Sequence, residues 1–176
     1  MTDAQHNPAS IDDVVFLGRA VERLSVLIAE QSQLVFDTMG IVIPVRSCSL
    51  MTVLGMLRTA SASDLARELG HSHQLVMQKI PKLIRLGLIE HRSDDDDARR
   101  RIFTPTDEGL LQLAKFEKCA VLIRAAYAEL FAEVGDIIQF VYRAADALNG
   151  RPLDERINSP KVGEGSPRLG RLAPVG

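Results

Sequence analysis

The sequence lacks the features that place a chain in a membrane or in an oxidising compartment. No apolar run among the 176 residues approaches the roughly 18–20 residues that a membrane-spanning helix needs. Two cysteines are too few for a disulfide framework, and the first ten residues are too polar for a signal peptide. We therefore expect a protein of the reducing cytoplasm that has no membrane partner.

A surplus of positive charge is also missing. The chain has 21 Lys and Arg against 23 Asp and Glu, which gives a formal net charge of −2. Nucleic-acid-binding proteins usually carry a basic surplus, so the overall charge argues mildly against such a partner. The charge is unevenly distributed, however, because residues 73–92 contain four Lys or Arg and a single acidic residue. This segment is locally basic.

Motifs of catalysis and of cofactor binding are not recognisable. The sequence has no glycine-rich phosphate loop, no nucleophile elbow and no Ser/His/Asp arrangement. The histidines lack Cys or Glu partners at metal-ligand spacings, so we interpret them as polar turn residues or phosphate contacts: His6, His71, His73 and His91. The acidic run 94–97 lacks the alternation of a calcium loop, which favours a solvated turn. We expect neither an enzyme nor a bound metal or cofactor.

Helical periodicity dominates what is present. A capping-box spacing at Ser10–Asp13 predicts a helix over 11–38, and its apolar residues alternate steps of three and four: Val14, Leu17, Val21, Leu24 and Ile28. Further helices are predicted over 47–58, 106–133 and 137–148. The first ten residues and the Pro- and Gly-rich segment 151–176 are predicted to be disordered.

Residues 61–106 contain the most informative pattern. A short helix capped at Ser61 ends at Gly70, and Ser72 caps a second helix over 73–86. Two helices joined by so tight a turn cross steeply, which lets the second enter a DNA major groove about 12 Å wide. If its apolar residues are buried, the outward side chains are those that bond base edges or phosphates: Gln74, Met77, Gln78, Lys82 and Arg85. A merely solvated helix face remains an alternative.

A charged hairpin follows this helix. Residues 88–92 and 99–104 are predicted to be strands, with turn chemistry over 93–98 between them. An arginine at such a tip can enter the narrow, electronegative minor groove, and an aspartate can hold it extended. The hairpin therefore favours DNA binding over a solvated face.

Four short motifs in this order resemble the multiple-antibiotic-resistance regulator (MarR) family over about residues 12–148. They are Asp64–Gly70, Leu86-Gly87-Leu88-Ile89, Asp97-Ala98-Arg99 and Thr106–Gly109. The resemblance implies a mainly α fold with a small β-wing, in which a winged helix-turn-helix lobe (about 47–105) accompanies dimerisation helices (about 11–38 and 106–148). These helices of two chains would intertwine, so that residues 11–150 form one domain of a homodimer.

The resemblance also implies a function, which is binding of palindromic operator DNA as a repressor that a small ligand releases. The resemblance places DNA contacts at Gln74, Gln78, Lys82, Asp97 and Arg99. From their positions in the helix and the hairpin we expect further contacts from Ser72, His73, Met77, Arg85, Arg100 and Arg101. The effector cleft would be lined by Met39, Ile43, Arg46, Met51 and Phe116. The arginine in this set hints at an anionic or aromatic effector.

Two departures from the family pattern keep another interpretation open. Ala98 replaces the first arginine of the usual Asp-Arg-Arg wing motif, and Pro81 lies inside the predicted recognition helix. A proline there removes a backbone donor, and its ring presses on the carbonyl of Met77. With the acidic run, these residues are compatible with a winged-helix protein-interaction module that does not bind DNA specifically.

The apolar stripes and the cysteines each allow two interpretations. The first and last predicted helices carry more apolar surface than a lobe of about 90 residues covers, which favours a homodimer over helices folded back on their own core. Cys48 and Cys119 are interpreted as small buried hydrophobes rather than as oxidant sensors, which need an exposed thiolate of low pKa.

Overall fold

The computed structural model describes residues 13–94 and 101–159. The chain divides into two compact units, residues 1–125 and 126–176. The predictions for Asp97, Arg99 and Arg100, and that of a disordered segment over residues 1–10, lie outside the described residues. None of the described helices is both long and apolar enough to cross a membrane.

The first unit is a winged helix-turn-helix, as predicted. Its elements in chain order are α1 (Leu17–Met39), α2 (Cys48–Leu57), β1 (Ala60–Ser61), α3 (Ala62–Leu69), α4 (His73–Arg85), β2 (Ile89–Ser93), β3 (Arg101–Pro105) and the first part of α5 (Asp107–Val134). The three strands form an antiparallel sheet in the order β1-β3-β2. The sequence did not predict β1, because two residues are too few to show an alternating pattern.

The beginning of α1 differs from the prediction. The described chain starts with a 3-10 turn over Val14–Phe16, and α1 itself begins at Leu17 rather than at residue 11. The cap is Asp13, whose carboxylate oxygen Oδ1 accepts a hydrogen bond from the Val15 amide at 2.9 Å. A short acidic side chain placed here satisfies an amide that the helix leaves unpaired, so the turn forms at Asp13.

Local caps fix the helix-turn-helix. The Ser61 hydroxyl accepts a hydrogen bond from the Asp64 amide at 3.2 Å, and the Asp64 carboxylate accepts one from the Ser61 amide at 3.1 Å. This reciprocal pair is a capping box, and it confirms the predicted cap at Ser61 at the start of α3. Gly70 ends α3 in the left-handed conformation (φ 61°), and the Ser72 hydroxyl accepts from the Leu75 amide at 3.2 Å to begin α4.

The turn between α4 and β2 is joined tightly to the start of α5. The Thr106 amide donates to the Leu88 carbonyl (3.1 Å) and the Thr106 hydroxyl donates to the Gly87 carbonyl (2.5 Å). The same hydroxyl accepts from the Gly109 amide at 3.0 Å. A side-chain Cβ on Gly109 would lie 2.0 Å from the Leu88 carbonyl oxygen. The Leu86–Ile89 and Thr106–Gly109 motifs are thus in direct contact at the Leu88 carbonyl.

The second unit contains the end of α5, then α6 (Ile137–Gly150) and α7 (Leu153–Asn158). The prediction of a disordered segment from residue 151 is therefore wrong at its beginning, and residues 160–176 lie outside the described residues. α7 forms because Asp154 and Glu155 occupy its first turn, where the helix dipole favours acidic residues. Arg156 also links α7 to α6 by donating to the Ala147 carbonyl at 2.6 Å.

Candidate nucleic-acid interface

α4 is anchored on one side and exposed on the other. Val76, Ile80 and Leu83 are buried in the core of the first unit, with exposed fractions of 3 % or less. The opposite side carries the exposed Gln74, Gln78, Lys82 and Arg85, which we call the reading face. The residues of the face recur at helical spacing, so they form one continuous polar and cationic surface.

Met77 does not belong to this surface, in contrast to the prediction. Its side chain is half-buried and packs against the hydrophobic core, as does that of Ile84. Met77 lies at the border between the two sides of the helix, and a long, unbranched side chain at a border turns toward apolar neighbours when they are within reach. The spacing alone could not show which neighbours α4 meets.

Pro81 does not interrupt α4. The helix runs from His73 through Pro81 to Arg85, although the proline offers no amide to the Met77 carbonyl. The side chain of Pro81 is exposed, on the side of the reading face. The predicted helix therefore forms over its whole length.

Other predicted contact residues lie at the two ends of this region. Ser72 and His73 are exposed at the beginning of α4. Arg101 is exposed at the beginning of β3, where it pairs with Ser93 of β2. The described part of the hairpin therefore presents cationic side chains in the same unit as the reading face.

A cleft of about 420 Å³ lies beside α4. It is lined by α1, by the segment that connects α1 to α2, and by α4: Ala29, Glu30, Gln33, Pro44, Val45, Arg46, Ser47, Gln78, Lys79 and Lys82. Of the five predicted cleft residues, Arg46 alone lines it. Ile43 and Met51 are completely buried in the core, and Met39 and Phe116 pack against that core. These four therefore do not line this cleft, and their assignment to an effector site stays a prediction.

Hydrogen bonds to α5 hold the connecting segment that carries Arg46. The Gln112 side chain is buried, and its Oε1 accepts from the Val42 amide at 2.9 Å. The Lys115 ammonium donates to the Gly40 carbonyl at 3.1 Å. Gly40 adopts a left-handed conformation (φ 62°) that lets the chain turn sharply after α1. Two hydrogen bonds to α5 thus hold the segment that leads into the wall of the cleft.

The cleft concentrates positive charge. It contains Arg46, Lys79 and Lys82 against one carboxylate, that of Glu30. Burial, with a further contribution from Arg46, lowers the pKa of Lys79. Burial and the nearby Lys79 likewise lower the pKa of His71, whose buried Nδ1 has no hydrogen-bond partner among the described residues. Both shifts disfavour the protonated form, mainly through burial and further through a neighbouring cation.

Lys79 was missed by reasoning from the sequence. It lies outside the face that the apolar pattern of α4 predicted, and the cleft it lines depends on the position of α1. A signal was present in the two lysines at positions 79 and 82, which are neighbours on a helix at a spacing of three residues.

The two cysteines are both buried in the first unit. Burial, with a smaller contribution from Cys119, raises the pKa of Cys48 to about 12, and burial also raises the pKa of Cys119. Because the thiolate is the reactive form of cysteine, these shifts favour the interpretation as buried hydrophobes over that as oxidant sensors.

The chain is similar to one protein family in sequence and to several solved regulators in structure. Residues 44–100 match a model of the MarR family. The structure resembles the DNA complex of the regulator MosR from M. tuberculosis (20% identity, 75% of this chain and 95% of that chain, TM-score 0.59). It also resembles PcaV from Streptomyces coelicolor with its natural ligand (20%, 84% and 97%, 0.56) and a MarR mutant from E. coli with operator DNA (15%, 78% and 97%, 0.57).

The curated protein sequences contain no match to this chain. The family match covers α2, β1, α3, α4 and β2, which together include the helix-turn-helix and the reading face. Over this lobe the chain is thus similar to the MarR family, and the solved regulators share its fold.

Proposed function

We propose that the protein is a sequence-specific, DNA-binding transcription regulator that acts in the cytoplasm. The observation that carries this proposal is the reading face, which lies on the second helix of a helix-turn-helix whose opposite side is fixed in the core. Gln74 and Gln78 suit adenine edges, while Lys82 and Arg85 suit guanine edges or phosphates. MosR and MarR, which share the fold, are proteins crystallised with DNA.

The second part of the proposal is that the regulator binds DNA as a homodimer. In the first unit, α1 exposes apolar side chains that include Leu17 (60 %) and Leu34 (69 %). In the second unit, α6 exposes Phe140 (63 %) and Tyr142 (61 %), and no residue of α6 or α7 is buried. Apolar surface of this extent marks interaction sites, and a second copy would bury it. Two-fold symmetry then places the two copies of α4 about 34 Å apart, one DNA turn.

A binding titration tests this function. The labelled DNA is the segment upstream of the protein's own gene, and fluorescence anisotropy is recorded at one fixed salt concentration. We expect binding about 1,000-fold tighter, or more, than to a shuffled sequence of the same length. Equal affinities for both DNAs would overturn the proposal and support the protein-interaction module that Ala98 and the acidic run left open.

The third part of the proposal concerns regulation by a small anionic effector in the cleft beside α4. Arg46 and Lys79 supply positive charge for an anion, and Pro44 and Val45 supply apolar contacts. Gln78 and Lys82 line the cleft and also belong to the reading face. A bound anion therefore competes with DNA for these side chains, which would release the operator. PcaV, of the same fold, is a regulator crystallised with its natural ligand.

Benzoate serves as the probe of this cleft, because it combines one carboxylate with a ring. We expect it to raise the dissociation constant of the operator complex, and we expect Lys79→Ala to need about tenfold more benzoate for the same effect, since a charge-assisted contact contributes about 1.5–3 kcal/mol. The control is Lys118→Ala, which removes an exposed cation of α5. Equal responses of wild type and Lys79→Ala would contradict this site.

A further inference from the structure

The recognition helix α4 carries a proline on its exposed surface. Pro81 follows Gln74 by seven residues and Gln78 by three, and it precedes Arg85 by four. At 3.6 residues per turn these spacings place the four side chains on one side of the helix. Along the helix axis Pro81 thus lies between the glutamines and the arginine of the reading face, and around the axis it borders that face on the side away from Lys82.

This proline is unfavourable for the helix. A proline in a helix interior costs the fold stability, because it removes one backbone hydrogen bond and its ring crowds a carbonyl of the preceding turn. α4 nevertheless runs on to Arg85, and the ring is exposed rather than buried in the core. A residue that opposes its own secondary structure in this way is typical of a functional position.

The structure also removes the other apolar candidate from this side of α4. Met77 turns toward the core. Leu75 is partly exposed, but it lies about 120° from Pro81 around the helix axis. Pro81 is therefore the exposed apolar residue that lies next to Gln74 and Arg85, whereas Leu75 lies beside Lys82. In the DNA major groove, the apolar group that a base edge presents is the 5-methyl group of thymine.

We propose that Pro81 is a specificity-determining residue that recognises thymine by contact between its ring and the 5-methyl group. This inference rests on the proposed DNA-binding function and specifies the base that Pro81 selects. The ring is rigid and has no donor, so it favours a methyl group over the polar edge of cytosine at the same place.

The experiment replaces individual operator thymines by deoxyuridine, which removes the 5-methyl group and leaves the pairing edge intact. Affinities are measured by anisotropy for the wild type, for Pro81→Ala and for Pro81→Val. At one symmetry-related pair of thymines, we expect replacement by deoxyuridine to weaken wild-type binding about threefold to fivefold per half-site. This is the effect of one buried methyl group. Pro81→Ala should show little response at that pair, and Pro81→Val, which keeps apolar bulk, should retain most of it.

Stability separates this role from a purely structural one. Pro81→Ala restores the helical amide, so its thermal unfolding temperature should rise, and a lost thymine preference cannot be attributed to misfolding. If the wild type binds its operator but no thymine responds to deoxyuridine, or if Pro81→Ala responds as the wild type does, the inference is overturned. If the wild type shows no specific binding at all, the proposed function itself has failed.

Discussion

Replacing Gly109 by alanine is expected to lower the free energy of unfolding by about 2–4 kcal/mol, in the upper range for overpacking. The new Cβ would lie 2.0 Å from the Leu88 carbonyl oxygen, which is backbone and cannot rotate away. To relieve that clash, the start of α5 must separate from the turn before β2. The hydrogen bonds from Thr106 to Gly87 and Leu88 would then stretch or break.

Urea denaturation followed by circular dichroism measures this loss, at one protein concentration because the proposed dimerisation would add to the apparent stability. The matched control is Gly18→Ala in α1, where no atom of the described residues outside the adjacent helix backbone lies within 4 Å of the new Cβ. The control should gain up to about 1 kcal/mol from the better helix propensity of alanine. Similar midpoints for the two variants would show that α5 does not contact the turn as closely as described.

Removing Gln74 and Arg85 together is expected to weaken specific DNA binding by about 30-fold or more. Each bidentate contact to a base edge contributes about 1–3 kcal/mol of discrimination, and the two residues lie near opposite ends of α4. Neither lines the cleft, so the double variant leaves the proposed effector site intact. Both side chains are exposed, and their truncation should leave the fold unchanged.

The measurement is an anisotropy titration of Gln74→Ala/Arg85→Ala on operator and shuffled DNA. Arg124→Ala is the control, because it removes an exposed cation of α5 and no residue of the reading face. We expect the double variant to lose most of the difference between the two DNAs, while Arg124→Ala keeps it. A double variant that still discriminates as the wild type does would show that α4 is not the reading helix.

Much of the helix-turn-helix could be predicted from sequence because its signals are local. The caps at Ser61 and Ser72 form hydrogen bonds with amides within one helical turn. Gly70 adopts the left-handed conformation that ends α3, which depends only on the adjacent backbone. The apolar spacing of α4 fixed which side would be buried. Such features involve residues a few positions apart, so the chain order already contains them.

Features that depend on distant residues could not be predicted in this way. The cleft lies between α1 and α4, so its cationic wall includes Lys79, whereas Ile43 and Met51, close to Arg46 in sequence, lie in the core. The border position of Met77 was decided by apolar neighbours from other elements. Side chains at the edges of a helix face choose between solvent and core only when the packing partners are in place.

The motifs that contain Gly87 and Gly109 depend both on local backbone preferences and on tertiary packing. The sequence by itself determined that a turn follows α4 at Gly87 and that α5 begins near Thr106, since each depends on local backbone preferences. The tertiary structure decided why Gly109 must lack a side chain, because the carbonyl that excludes a Cβ belongs to Leu88, far earlier in the chain. Local chemistry determines where a helix begins and ends, and close packing between distant segments determines which of its residues have room for a side chain.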